Sequence, residues 1–305
     1  MIRGTLRGVI AAAAVALTGC ATMDGSEGAM SADCDRACLK GFVDIYVSAM
    51  VERNPGPLPV AEDVRFTEDG VDMMLGEGIW ENGVRLTGYR FDILDEREGE
   101  AASLIKLLES GSPVHFALRL KIEDRAITEI ETMVVRSQAE GMIFRPDAIV
   151  TLSDAMAYTP TPAERNTRQE MIDAAVRYPE GLRAGSFVTS DVPFAEDAYR
   201  FENGQLMAGP GCTFFEGCTN IKTQSIPTLA GLTYYVAAVD EEQGVVLIRM
   251  DFGPGSLFPS PDRPAGQTLS VFEAFKVWGD EVHAVEAFME AKPGDAPLGW
   301  EPEGS

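Results

Sequence analysis

The sequence predicts an α+β protein built from two tandem copies of one module, and three observations carry that expectation. In VHFALRLKIEDRAITEIETMVV (114–135), Val114, Phe116, Leu118, Leu120 and Ile122 point one way while His115, Ala117, Arg119 and Lys121 point the other. That period of two marks a strand with distinct faces. A polar break at Glu123-Asp124-Arg125 and a second β-rich run, Ile127 to Val135, make the unit a hairpin. The same unit returns without a gap in LSVFEAFKVWGDEVHAVEAFME (269–290), which aligns Lys121 with Lys276, Ile130 with Val285 and Glu131 with Glu286. Upstream, AEDVRFTEDGVDMMLGEG is echoed by AEDAYRFENGQLMAGPG, so each half repeats its short strands as well as its hairpin.

The elements follow in order. Arg3 and Arg7 precede an apolar run, Val9 to Leu17, and Leu17-Thr18-Gly19-Cys20 follows at once. A basic, apolar, then small-residue order is a secretory signal (1–19). The LTGC ending looks like a bacterial lipobox, which implies cleavage before Cys20, lipidation of its thiol and a place in the bacterial cell envelope facing the periplasm. More than one acyl chain gives stable anchoring, so the membrane is reached through the lipid alone. Residues 20–32 are small and polar, as a tether is. The first domain (33–138) opens with a helix whose face carries Phe42, Ile45, Tyr46, Ala49 and Met50, stopped by Asn54-Pro55-Gly56-Pro57. A strand Val64–Glu68, a turn at Asp69-Gly70 and a second short strand come next. Residues 84–113 read as irregular with a helix from Ala101 to Glu109, and the long hairpin closes the unit. Pro146, Pro160 and Pro162 mark 139–165 as the inter-domain crossing. The second domain (166–292) starts with a helix near Thr167 and continues through strands Leu232–Val239, Val245–Phe252 and Leu269–Val277. The tail (293–305) reads as irregular apart from a docking Trp300.

Composition excludes several function classes. With 25 Lys plus Arg against 48 Asp plus Glu, the net charge is −23, and loss of Arg3 and Arg7 with the signal would make it more negative. Such a field repels nucleic acid. Besides Cys20, the four cysteines Cys34, Cys38, Cys212 and Cys218 form an even set in an exported chain, which favours disulfides over metal. Their short spacings favour Cys34–Cys38 and Cys212–Cys218, although four cysteines allow three pairings. Only two histidines are present, so a His-rich metal centre is not expected. The chain has no GxSxG, no glycine-rich phosphate loop and no dinucleotide fingerprint, and no cofactor is expected.

The element order, helix, paired short strands bearing RF(T)E(D/N)G, then long strands, resembles the nuclear-transport-factor-2-like superfamily, which includes SnoaL-like cyclases and ketosteroid isomerases. More closely, CDRACLKGFVDIYVSAMVERN, FALRLKIEDRAITEIETMV, VDEEQGVVLIRMDF and Gly299-Trp300 resemble an exported bacterial and fungal family of unassigned function. The superfamily resemblance implies two tandem cone-shaped domains, each a curved antiparallel sheet wrapped on helices around an apolar pocket. The two cones then form a pseudo-dimer within one chain. It also implies an acid or base at the pocket wall, and here that position falls on Glu68, which shares a strand face with Val64 and Phe66. A desolvated carboxylate there has a raised pKa and serves as a general acid or base. Tyr46, on the apolar helix face, takes the position of an oxyanion-stabilising hydroxyl. In the second unit the inward position reads as Asn203, which orients but takes no proton. Glu273 shares a face with Leu269, Val271, Phe275 and Val277, and Arg249 and Asp251 share a side of the neighbouring strand; with Asn203 these three are the second unit's candidate binding residues, and paired structural roles fit all three as well.

Two functions follow. One is a cofactor-independent lyase, isomerase or hydrolase that uses Glu68 and Tyr46 on a small lipophilic molecule. The other is a non-catalytic binding lipoprotein for a hydrophobic ligand or a protein partner.

Overall fold

The computed structural model describes residue 1 and residues 34–225, 229, 231–256 and 265–300. The expected signal, the lipidation residue Cys20 and the tether lie outside the described residues. Helix α1 (Arg36–Glu52) starts where the Asp35 side chain accepts from the Cys38 N–H, and it ends at Arg53, whose left-handed backbone returns its N–H to the last carbonyls. Its apolar face, with Leu39, Phe42, Tyr46 and Met50 buried, is the one the sequence period marks. The strands β1 (Val60–Glu68), β2 (Val71–Met73), β3 (Val84–Asp95), β4 (Glu100–Glu109), β5 (Ser112–Glu123) and β6 (Ala126–Val135) follow. The crossing segment holds two single-turn helices, α2 (Gln138–Gly141) and α3 (Asp154–Ala157). Helix α4 (Arg168–Ala184) opens on a reciprocal capping box between Thr167 and Glu170. Then come β7 (Phe194–Glu202), β8 (Gln205–Ala208), β9 (Thr233–Asp240), β10 (Val245–Asp251), β11 (Gln267–Trp278) and β12 (Glu281–Pro293).

The repeat read from the hairpins extends to the topology. The sheets have the orders β2-β1-β6-β5-β4-β3 and β8-β7-β12-β11-β10-β9, so each strand of one has a counterpart in the other. Register irregularities recur in equivalent places, at Lys121/Ile122 and at Lys276/Val277, and such bulges bend a sheet. The fold class is therefore α+β with two six-stranded sheets, but neither sheet is purely antiparallel. β1 pairs with β6, and β7 with β12, in parallel. Strands that lie together in this direction need a long crossover, which β2 to β5 and β8 to β11 supply.

Residues 84–113 differ from expectation, forming strands β3 and β4 instead of an irregular stretch with a helix. The reason is burial on both faces: Ala101, Ile105 and Leu107 face the first core, while Ala102 and Leu104 face the other sheet. A strand apolar on both sides loses its alternation and mimics a helix. The tail also departs from expectation up to Trp300. The Pro297, Leu298 and Gly299 carbonyls accept from Lys292, Arg249 and Arg65, and the Trp300 indole donates to Thr67 Oγ1.

The hydrophobic residues divide into three cores. One lies between α1 and its sheet, one between α4 and its sheet, and the third between the outer faces of the two sheets, where Phe91, Leu104, Ala117 and Met133 meet Leu247, Phe272, Ala274 and Phe288. Contacts across this third layer are reciprocal. Arg36, in the first turn of α1, pairs with Asp240 at the end of β9, and Arg168, in the first turn of α4, pairs with Asp95 at the end of β3. Each aspartate also accepts a backbone N–H from the opposite sheet, Asp240 from Leu94 and Asp95 from Val239. Mutual i-to-j and j-to-i contacts of this kind are the mark of a two-fold arrangement. Two disulfides, Cys34–Cys38 and Cys212–Cys218, close short loops at Cα separations of 5.1 and 5.6 Å.

A candidate ligand site between the two sheets

Glu68 and Tyr46 come near one another inside the first unit, but in sealed surroundings. Glu68 is only 3% exposed and Tyr46 is fully buried. The Glu68 carboxylate accepts from the Ile79 N–H at 2.9 Å and lies 3.3 Å from Arg136 Nη2. Gly78, at φ +67°, passes so close that a Cβ there would lie 2.7 Å from the carboxylate. Burial raises the Glu68 pKa, and the Ile79 and Arg136 contacts oppose that rise. The Tyr46 hydroxyl accepts from Trp80 Nε1 at 3.2 Å, and the rings stand edge to face. Neither residue lines any of the three cavities described below. Glu68 thus ties down the turn at residues 78–81.

Asn203 is not the inward counterpart of Glu68. Asn203 and Asp69 occupy the same left-handed turn position, at φ 44° and 54°, and each side-chain oxygen accepts an N–H from the strand beside it, Met289 and Val134 respectively. The residue matching Glu68 is therefore Glu202. The segments AEDVRFTEDG and AEDAYRFENG are equal in length, and the register sets Thr67 beside Glu131 and Phe201 beside Glu286, so matching Phe201 to Phe66 puts the comparison out by one position. Asn203 faces the inter-sheet layer instead, where its amide also donates to the Gly141 and Met289 carbonyls.

Glu273 lies inside the second unit with Tyr178, Arg200 and Glu202. Arg200 donates to the Tyr178 hydroxyl at 3.1 Å and pairs with Glu202 at 2.8 Å. Burial pushes the Glu273 pKa to about 8, against the pull of Arg200. Arg249 stands on the opposite face of the sheet, where it pairs with Asp251 at 3.0 Å and with Glu131 at 2.9 Å.

The arrangement best suited to a ligand is one that sequence reasoning did not select. Glu131 and Glu286, aligned by the repeated hairpin, both point into the layer between the sheets, and each accepts a tyrosine hydroxyl from the other unit. Tyr235 donates to Glu131 at 2.7 Å and Tyr89 to Glu286 at 3.0 Å. Their other partners differ. Glu131 has the Arg249 guanidinium, whereas Glu286 accepts from the Ser153 hydroxyl at 2.7 Å, and Ser153 accepts from Tyr199 in turn. No cation pairs with Glu286 among the described residues, and burial raises its pKa. The carboxyl lines a cavity of about 210 Å³ walled by Tyr89, Ile149, Leu152, Phe201 and Phe288. His115 supports that wall from behind, stacked on Phe288 with ring centroids 4.8 Å apart, and burial lowers its pKa to about 4, so it is neutral. An ionisable carboxyl held by hydroxyls alone, in a mostly apolar cavity, can accept a hydrogen bond from a ligand or exchange a proton with it. The sequence signal for Glu286 was its alignment with Glu131, on a strand face where small apolar and charged residues mix.

Two further clefts flank the sheet contact. One, of about 510 Å³, lies beside Arg36, Arg90 and Gln243; the other, of about 850 Å³, lies beside Arg119, Arg168, Tyr235 and Trp300. Among the described residues no cluster of His, Cys, Asp and Glu could hold a metal ion, and no helix is long and apolar enough to cross a membrane.

Residues 164–289, most of the second unit, match a family described as a domain of unknown function (DUF8021). No curated protein matches the chain. A solved structure similar to part of it is an NTF2-like protein of unknown function from Cytophaga hutchinsonii, with 12% identity, a TM-score of 0.26 and coverage of 32% of this chain and 88% of that one.

Proposed function

We propose that this protein is an exported, lipid-anchored binding protein, a built-in dimer whose inter-sheet cavity takes a small, largely apolar molecule bearing one hydroxyl. The observation that carries the reading is Glu286, a carboxyl with no cationic partner among the described residues that opens onto a mostly apolar cavity. Each Glu286 oxygen already accepts one hydroxyl and keeps a further lone pair, so it favours a hydrogen-bond donor on an otherwise greasy body. The volume, below the roughly 300–1,000 Å³ of drug-sized sites, points to a compact ligand. Disulfides at Cys34–Cys38 and Cys212–Cys218 support an oxidising compartment, as export would give. The test is calorimetric titration of the purified chain with small apolar alcohols and phenols. The reading requires a ligand whose affinity falls at least tenfold in Glu286→Gln and in Thr151→Trp, which narrows the cavity mouth. A ligand that binds both variants as it binds the wild type would refute it.

A second reading, proton transfer on the bound molecule, is favoured by the raised Glu286 pKa and by the hydroxyl chain from Tyr199 through Ser153. Turnover that is lost in Glu286→Gln while the ligand still binds would establish it.

A further inference from the structure

The two clefts that flank the sheet contact are related by the same reciprocity as the Arg36–Asp240 and Arg168–Asp95 pairs, yet they are filled differently. β4 and β10 hold Glu100 and Val245 in the same register, opposite Lys121 and Lys276. On β11, Ala274 stands where β5 has Arg119, since Ala274 opposes Glu286 and Arg119 opposes Glu131. On the Lys276 side, Val245 and Ala274 pack into the inter-sheet core, and Lys276 donates to the Met156 carbonyl of the crossing segment. The Lys121 side has no such cover from that segment and remains an open cleft of about 850 Å³.

Arg119 and Glu100 are each 7% exposed, and both line this cleft. Arg119 Nη2 donates to Glu100 at 2.9 Å and to Glu129 at 2.7 Å, but among the described residues its Nε and Nη1 have no partner, and neither does Glu100 Oε2. Buried donors and a buried acceptor left without partners on two residues that line one cleft mark a place for a ligand with complementary groups. The cleft carries five carboxylates against three cations, which disfavours a simple anion. Trp300 and Tyr235 supply aromatic wall next to the pair, with Arg119 5.5 Å from the Trp300 ring centre.

We propose that this cleft binds a small zwitterion of the α-amino-acid class with an apolar side chain: its ammonium meets Glu100 Oε2, its carboxylate meets the free Arg119 nitrogens, and its side chain lies on Trp300 and Tyr235. Burial also raises the Glu100 pKa to about 7, and a ligand ammonium would favour its charged form.

The test is calorimetric titration of the purified chain with L-phenylalanine, with L-phenylalaninamide (no carboxylate) and with 3-phenylpropionate (no ammonium). L-phenylalanine should bind, both analogues should bind at least tenfold more weakly, and Glu100→Gln should weaken L-phenylalanine at least tenfold. Because the analogue arms use wild-type protein, a variant that fails to fold does not blunt the test. Glu286→Gln should leave all three titrations unchanged, which separates this site from the inter-sheet cavity. Absence of L-phenylalanine binding at millimolar concentration, or equal affinity for the three compounds, overturns the assignment.

Discussion

Glu131 and Glu286 occupy the same place in the repeated unit, yet the protein uses them differently. Around Glu131 the opposite sheet supplies Arg249 and Tyr235, and the tail closes over the site, with the Leu298 carbonyl accepting from Arg249 and Trp300 stacked over Arg65. Around Glu286 it supplies Tyr89 with no cation, and the crossing segment adds Ser153 and a cavity. The repeated topology sets a carboxylate between the sheets at both ends. A cation on one strand and a folded-back tail turned one end into an ion-paired clasp. At the other end a hydroxyl network leaves the carboxyl available.

The comparison can be broken most severely at Arg249. Arg249→Met leaves Glu131 and Asp251 buried without their cation, and it should cost about 3–5 kcal/mol of stability in urea denaturation. A loss under 1 kcal/mol would mean that the clasp is not what holds that end together. Glu286→Gln is the matched substitution at the other end. It strands no cation and keeps an acceptor, so the stability change should stay within about 1 kcal/mol while ligand affinity falls at least tenfold. Between these lies Trp300→Ala, which removes the bond to Thr67 and the stacking on Arg65. By typical values for one hydrogen bond and one cation–π contact it should cost about 2 kcal/mol, without touching binding at the Glu286 cavity.

The smallest effect is a pH dependence. Glu286 has a folded-state pKa above the usual carboxylate value of 4.5, so the folded state holds its proton more tightly than the unfolded state does. Stability from this group is therefore fully present below the unfolded pKa and is lost as pH rises from about 4.5 through the folded value. Denaturation midpoints of wild type and Glu286→Gln should diverge in that window, with the variant gaining on the wild type. Parallel curves would show that Glu286 titrates as an exposed carboxyl does.

Much of the fold was legible in the sequence because it was written twice. The hairpins, the two long helices and the strand–turn pairs all carry local signals that recur. What escaped depended on tertiary context. The β4 segment hid its period because one sheet face covers a helix and the other covers a sheet. Asn203 was placed inward because it shares a face with Phe201, and Phe201 was matched to Phe66; the register matches Phe201 to Thr67 instead, on the face turned to the other sheet. Glu68 and Glu273 were correctly read as sharing faces with apolar residues, but parity says only that a carboxylate is buried, not that space lies beside it. The Glu286 cavity has walls from β3, the crossing segment, β7 and β12, which are distant in sequence, so no local pattern could have shown it.

Six of the seven tyrosines allow the central claim to be tested in one measurement, because they mark the two unit interiors, the Glu286 network and the cleft at Trp300. Tyr46 and Tyr178 sit inside the two units, Tyr89 and Tyr199 at the Glu286 network, and Tyr234 and Tyr235 at the open cleft. With ring-labelled tyrosine, NMR titration with the small apolar alcohol or phenol that binds best should move the Tyr89 and Tyr199 resonances and leave those of Tyr46 and Tyr178 in place. Movement of Tyr46 or Tyr178 with Tyr89 unchanged would put the ligand inside a unit and contradict a site between the sheets.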